Sequence, residues 1–324
     1  MTSVPQPPSG SVTDPGGAAE GAGPIFVESG GLSARIDPLG AQLKSLRIGG
    51  QELLWQGAPG FWDQTALVLF PIIAGIAGGV VRVNGRTYPM PAHGFAFSSS
   101  FKVETQAPDR LVLSMRDNAE TRRHYPFEFA LTATFSIGDS RLDLDLRVEN
   151  RGDQPMPCDV GFHPGFRWPL EGGRDKAEHV VLFEHPEPAP IRRGTEDPIV
   201  LLPEPQPSPV EGRLLRPTDA MFEAQAMVFD RFESRSVIFG VPGGQGVRLD
   251  FPDSPHFAVW MQPGAAFLCL EPWQGYPGPV GYDGALKDKP GIATVAPGET
   301  RAWRYGITPL DETPASHQPE QEPA

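Results

Sequence analysis

Through most of the chain, apolar and polar side chains alternate with a period of two. Leu142, Leu144, Leu146 and Val148 are interleaved with Arg141, Asp143, Asp145, Arg147 and Glu149. That pattern predicts a half-buried strand, and Asn150-Arg151-Gly152 is the turn after it. Leu131, Ala133 and Phe135 predict the strand before it, joined through Ile137-Gly138-Asp139-Ser140. Leu111, Leu113 and Met115 alternate in the same way, as do Val247, Leu249 and Phe251, and then Phe257, Val259 and Met261. Phe267 to Leu270 is a continuous apolar run, as for a strand buried on both faces. Pro272 follows closely and predicts a break in that strand's ladder.

Helical periodicity is scarce. Thr218 to Ala226 predicts one short helix, with Thr218 or Asp219 at its N-cap. Strands without interleaved helices argue against a parallel α/β sheet. The predicted fold is therefore all-β, a large antiparallel β-sandwich with few short helices. Glu184 to Pro217 is rich in proline and has no clean period, so it reads as a long surface excursion with short extended pieces. Residues 1–23 and 311–324 carry too few large apolar side chains to offset ordering entropy and read as disordered tails. Residues 24–310 then form a single domain, and no solenoid or propeller repeat divides it.

The net charge of -13 disfavours nucleic-acid and anionic-membrane partners. Cys158 and Cys269 are the two cysteines, and they read as reduced, buried thiols rather than a secreted disulfide framework. The start of the chain lacks a basic stretch and an apolar core, so it does not read as a secretory signal, and a cytoplasmic location is expected. A monomer or a homodimer fits equally well.

Three stretches combine a titratable residue with glycine, proline and aromatics: Pro91-Ala92-His93-Gly94-Phe95, Gly161-Phe162-His163-Pro164-Gly165-Phe166 and Cys269-Leu270-Glu271-Pro272-Trp273-Gln274-Gly275. A carboxylate at the end of a buried strand is partly desolvated, which raises its pKa and suits it to act as a base. Glu271 has that context, although a rim salt bridge would use the same residue type. His163 is a candidate general acid near neutral pH, and His93 shares its ambiguity between a structural and a chemical role. Trp273 offers a flat apolar face for a sugar ring. No HxxxH or HxH metal spacing, dinucleotide fingerprint, P-loop or GxSxG elbow is present, so neither metal nor cofactor is expected.

Taken in order, several fragments resemble the aldose 1-epimerase family, in its bacterial lactose-operon-type branch near the hexose-6-phosphate mutarotases. They are Leu39-Gly40-Ala41-Gln42-Leu43-Lys44-Ser45-Leu46, Glu52-Leu53-Leu54-Trp55-Gln56-Gly57 with Phe61-Trp62, Leu69-Phe70-Pro71-Ile72, Asn84-Gly85-Arg86-Thr87-Tyr88, His93-Gly94-Phe95-Ala96, His163-Pro164-Gly165-Phe166, Glu271-Pro272-Trp273, Lys289-Pro290-Gly291-Ile292 and Pro297-Gly298-Glu299-Thr300. The resemblance implies a galactose-mutarotase-like super-sandwich that interconverts the α and β anomers of an aldose. It implies Glu271 as general base, His163 as general acid and His93 as the second active-site histidine. Trp273, Phe95 or Trp62 would serve as the ring platform.

The chain departs from the family at two arginines. Gly75-Ile76 stands where one usually follows the Leu-Phe-Pro-Ile stretch, and Phe97 stands where one usually follows His-Gly-Phe-Ala. Two guanidinium forks that would hold a phosphate are thus missing, which points to a neutral sugar. Arg82 and Arg86 are the candidates to replace them, and Asp159 is a candidate polar contact. A non-catalytic carbohydrate-binding protein is the alternative the missing arginines favour. A glycoside hydrolase would need a second carboxylate facing Glu271.

Overall fold

The computed structural model describes residues 23–170, 174–196 and 199–315. Two antiparallel sheets dominate. The larger has nine strands, in the order Leu214–Leu215, Val180–Phe183, Ser236–Gly240, Gly246–Asp250, Thr300–Leu310, Arg141–Asn150, Phe129–Gly138, Arg110–Arg116 and Lys102–Ala107. The smaller has five, in the order Met227–Phe229, His256–Trp260, Phe267–Gln274, Val160–Arg167 and Ala66–Leu69. A four-stranded sheet and two hairpin-sized sheets complete the architecture. The predicted antiparallel all-β fold is observed, and the one described α-helix, Thr121–His124, is a single turn.

Alternation places the side chains as the sequence predicts. Leu142, Leu144, Leu146 and Val148 are buried in the main core with Leu131, Ala133 and Phe135. In the smaller sheet both faces are covered. Ala66 and Val68, Phe162 and Phe166, Leu268 and Leu270, Phe257 and Val259, and Met227 and Phe229 enter the main core. Their alternates Leu67 and Leu69, Trp273, Ala258 and Val228 form a second buried cluster on the opposite face. All eight residues of Phe267–Gln274 are buried.

The ladder break expected at Pro272 is found on one side of its strand, and two other expectations need correction. The strand Phe267–Gln274 runs through Pro272, which pairs with Phe257 on one side. On the other side the ladder joins Val160 and Gly161 to Gln274 and Trp273, then resumes at Gly165 with Cys269. It skips the stretch that holds Pro164 and Pro272, two residues with no N–H to donate. The predicted helix at Thr218–Ala226 is a 3₁₀ turn over Asp219–Phe222, and Thr218 makes no side-chain cap. The Glu184–Pro217 excursion does not merely run over the surface. Glu187, Ile191, Arg193, Leu201 and Leu215 are buried, and Leu201 and Ile199 pack on the second cluster.

Part of the stretch read as the C-terminal tail is built into the fold. Thr313 is fully buried and bridges Pro242. The other positions read as tail, 1–22 and 316–324, lie outside the described residues. No helix among the described residues is long and apolar enough to cross a membrane.

Candidate active site

The second buried cluster is the floor of the candidate site. Continuing the register across the gap between Gly161↔Trp273 and Gly165↔Cys269 sets His163 opposite Glu271 on neighbouring strands. His163 Nε2 lies 3.1 Å from Glu271 Oε2, with the two side chains only 7% and 2% exposed. The approach is not an aligned hydrogen bond. Glu271 Oε2 and His163 Nδ1 are buried without hydrogen-bond partners among the described residues, as is Trp273 Nε1. Buried polar atoms are normally satisfied, so three unsatisfied ones on a single sheet face call for an external partner.

Burial sets the electrostatics. Desolvation holds the Glu271 carboxyl well above its usual range. It holds the His163 imidazolium well below its usual range, with the nearby His93 adding to the effect. The two groups therefore titrate as a pair. Between the loss of the first proton and the loss of the second, the pair holds a single proton, which the two directions place on Glu271. Such a pair can give a proton at one position and take one at the other.

His93 completes the group. Its ring centroid is 5.6 Å from that of His163, edge to face. Ala74 N–H donates to His93 Nδ1, and His93 N–H donates to the Ala74 carbonyl. The first bond assigns the ring proton to Nε2. Burial lowers the His93 pKa to about 4, so at neutral pH the ring is an uncharged donor. Its backbone lies in the left-handed region, with φ 63°, and Gly94 follows at φ 74°. Bringing His93 to the site thus costs some backbone strain, as functional turns often do.

Glycines on either side of His163 clear the floor for aromatic side chains. A Cβ on Gly161 would stand 2.7 Å from Trp273 Cδ1, and one on Gly165 would stand 2.8 Å from Trp62 Cζ3. Trp62 in turn lies 4.9 Å from the His163 ring, and Trp260 closes the other side at 5.9 Å. Gly165→Ala is expected to displace Trp62 and lower kcat/KM on the order of 10²-fold, the scale for ~1 Å misplacement of a positioned group. Steady-state kinetics beside a thermal melt checks this, because a loss of stability alone would leave kcat/KM of the folded fraction intact.

The structure separates the other sequence candidates. Trp62 and Trp273 line the cluster. Phe95 does not. It packs in the main core against Phe70, Tyr125 and Phe129, whereas Phe97 packs against the second cluster. A left-handed turn followed by the 3₁₀ turn Ala96–Ser98 breaks simple alternation there. Arg82 stands exposed on the hairpin Val80–Pro89, opposite Thr87, and Arg86 is exposed beside it, so neither joins the buried cluster.

Asp159, the candidate polar contact, lies inside the fold and is held through one carboxylate oxygen. It is fully buried, accepts from Ile73 N–H at 3.1 Å and pairs with Lys289 Nζ at 2.7 Å. Burial pushes its carboxyl up, and the Lys289 ammonium pulls against that. The pair ties the Ile73-Ala74 segment, which orients His93, to the Lys289 loop. Lys289 is a residue that sequence reasoning did not single out for the site. Its partner lies 130 positions away, so no local signal marks it.

His256 sits under Trp273 in the register and accepts from Gly275 N–H at 3.1 Å. Burial is the main cause that lowers its pKa to about 4. A group with a depressed folded pKa contributes stability that is present above its ordinary value of 6.5 and lost as pH falls toward 4. Full loss amounts to about 3 kcal/mol at ~1.4 kcal/mol per unit. His256→Asn keeps an acceptor for Gly275 without the titration. Its unfolding free energy, measured in urea across that window, is expected to fall less steeply on acidification than that of the wild type.

Cys158 and Cys269 are both free and buried, as expected from the sequence.

Comparison with known proteins agrees with this fold. The aldose 1-epimerase family profile matches residues 25–308. Protein LacX (chromosomal) of Lactococcus lactis subsp. lactis is 29% identical over 290 residues, covering 86% of this chain and 97% of its own. A galactose mutarotase-like protein from Lactobacillus casei superimposes with TM-score 0.82 at 27% identity, over 89% of this chain and all of its own. A galactose mutarotase related enzyme from Lactobacillus acidophilus gives TM-score 0.80 at 25% identity, over 91% and 100%. With the profile spanning nearly every described strand and a carboxylate–imidazole pair at the centre of the smaller sheet, this chain belongs to the aldose 1-epimerase family, a family of isomerases.

Proposed function

We propose that the protein is a mutarotase that interconverts the α and β anomers of a neutral aldose. The observation that carries the reading is the buried His163–Glu271 pair with its unsatisfied polar atoms, set among Trp62, Trp273 and His93. In this reading the bound sugar draws the pair's single proton onto His163, and Glu271, then a carboxylate, takes the proton of the anomeric hydroxyl. His163, as imidazolium, gives its proton to the ring oxygen as the C1–O5 bond breaks. The open-chain aldehyde turns about C1–C2. Reclosure on its other face returns the proton from Glu271 to O1 and the ring-oxygen proton to His163, so the enzyme ends unchanged. Each positioned acid or base supplies a factor of ~10²–10⁴. Neutral His93, with its proton on Nε2, donates a hydrogen bond to a sugar oxygen. The indole faces of Trp62 and Trp273 pack on the sugar's C–H face.

Two observations support a neutral substrate. Ile76 is buried in the main core, and Phe97 packs on the apolar cluster, so neither position presents a cation to a phosphate. A cytoplasmic location and a monomeric or homodimeric state belong to the same proposal. The test is the optical rotation of freshly dissolved α-D-glucose and α-D-galactose, and of their 6-phosphates, with and without protein. Faster relaxation of the neutral sugars with little effect on the phosphates is the expected result. No acceleration of either neutral hexose overturns the substrate class.

The acid–base pair argues against a binding-only role on the same fold, because a sugar-binding surface gains nothing from burying an ionisable pair without hydrogen-bond partners.

A further inference from the structure

One donor beside the acid–base pair has no part in the reaction above. Cys269 precedes Glu271 by two residues on the same strand, so both side chains leave one face of the sheet. His163 comes from the neighbouring strand, and donor atoms of all three residues lie within 4.8 Å of one another. All three residues are buried, and Glu271 Oε2 has no hydrogen-bond partner among the described residues. The two strands are interior to the five-stranded sheet, so the donors stand on a rigid base.

We propose that His163, Cys269 and Glu271 form a binding site for a soft divalent cation, zinc foremost, in direct competition with the sugar. An imidazole nitrogen, a thiolate and a carboxylate oxygen are zinc donors, at about 2.0–2.3 Å from the metal. Tetrahedral ligands at those lengths stand roughly 3.5 Å apart. Donors already within 4.8 Å of one another need to close by about an ångström to reach that spacing. Charge also favours the ion. One thiolate, one carboxylate and a dication sum to zero, which suits a site where an isolated charge is costly. Burial, and secondarily Glu271, hold the thiol protonated when no cation is present. Coordination expels that proton to solvent, together with any proton held on the carboxyl. The fourth position is left for water or a sugar oxygen. Magnesium and calcium, which take oxygen donors, are a poor match. Linear spacing hides the site because its ligands come from two strands rather than from one helix turn. The inhibitory consequence rests on the proposed mutarotase reading; binding itself does not.

Cobalt chloride added to chelator-washed protein tests binding directly. One equivalent is expected to produce the visible bands of four-coordinate cobalt and a near-ultraviolet thiolate charge-transfer band. Zinc should displace both. Cys269→Ala and the nearly isosteric Cys269→Ser, each shown folded by thermal melt, should lose the charge-transfer band. Absence of the bands in the wild type, or their survival in both variants, overturns the proposal. In polarimetry, zinc should slow the wild type, a chelator should restore it, and the variants should need at least ~10-fold more zinc, the lower scale for a lost supporting group. Equal zinc sensitivity of wild type and variants also overturns it. A protein that turns over no sugar fails the mutarotase reading alone, because the cobalt spectrum still decides the site.

Discussion

Glu271→Gln is expected to lower kcat for anomer interconversion by ~10²–10⁴-fold while leaving sugar binding within a few-fold of the wild type. The substitution preserves shape in a position that is only 2% exposed, so the sheet has no reason to rearrange. In the proposed mechanism it removes the group that accepts the anomeric proton beside His163. The carboxyl's raised affinity for protons, caused by burial, makes it a stronger base than an ordinary glutamate, and an amide has no equivalent. Polarimetry gives the rate, and titration of the folded variant with sugar, followed by tryptophan fluorescence, gives the affinity. Trp62 and Trp273 line the site and report on occupancy. A variant that keeps the wild-type rate would move the base elsewhere.

Lys289→Met is expected to destabilise the fold by about 3–5 kcal/mol, the range for breaking a buried ion pair from one side. Both side chains of the Asp159–Lys289 pair are 0% exposed, and Asp159 Oδ1 already lacks a hydrogen-bond partner among the described residues. Without the ammonium, Asp159 must hold an uncompensated charge or take up a proton. The penalty is therefore largest at alkaline pH and shrinks as pH falls and the carboxyl protonates. Asp159→Asn in the Lys289→Met background should recover part of the loss. Urea unfolding at two pH values measures all of this. Because Asp159 also anchors Ile73 N–H, next to the Ala74 N–H that orients His93, the surviving folded Lys289→Met protein should also show a reduced kcat.

What the sequence reveals and what it hides divide by range. Alternation and continuous apolar runs are local, so Leu142 to Val148 and Phe267 to Leu270 announce their strands and their burial. His93, His163 and Glu271 are identifiable from their glycine, proline and aromatic context and from family resemblance, and the structure places them together. Features that depend on a distant partner stay hidden. Pro272 breaks the ladder on one side as its sequence predicts, but its pairing with Phe257 on the other side is not legible locally. Asp159 reads only as a candidate polar contact because its ion-pair partner Lys289 is far along the chain. Phe95 and Phe97 exchange roles because the His93–Gly94 turn resets the face that each side chain meets. Cys269 looks like a plain core thiol until the neighbouring strand brings His163 beside it.

The central claim is that the buried carboxylate–imidazole pair opens and recloses a sugar ring. Two-dimensional exchange NMR on D-galactose carrying carbon-13 at C1, recorded at anomeric equilibrium with catalytic amounts of protein, tests it most directly. The account predicts α–β exchange cross-peaks with the wild-type protein that fall to the protein-free level with Glu271→Gln. Saturable binding of the sugar to the wild-type protein with no exchange above the protein-free level would contradict it and leave a sugar-binding protein in its place.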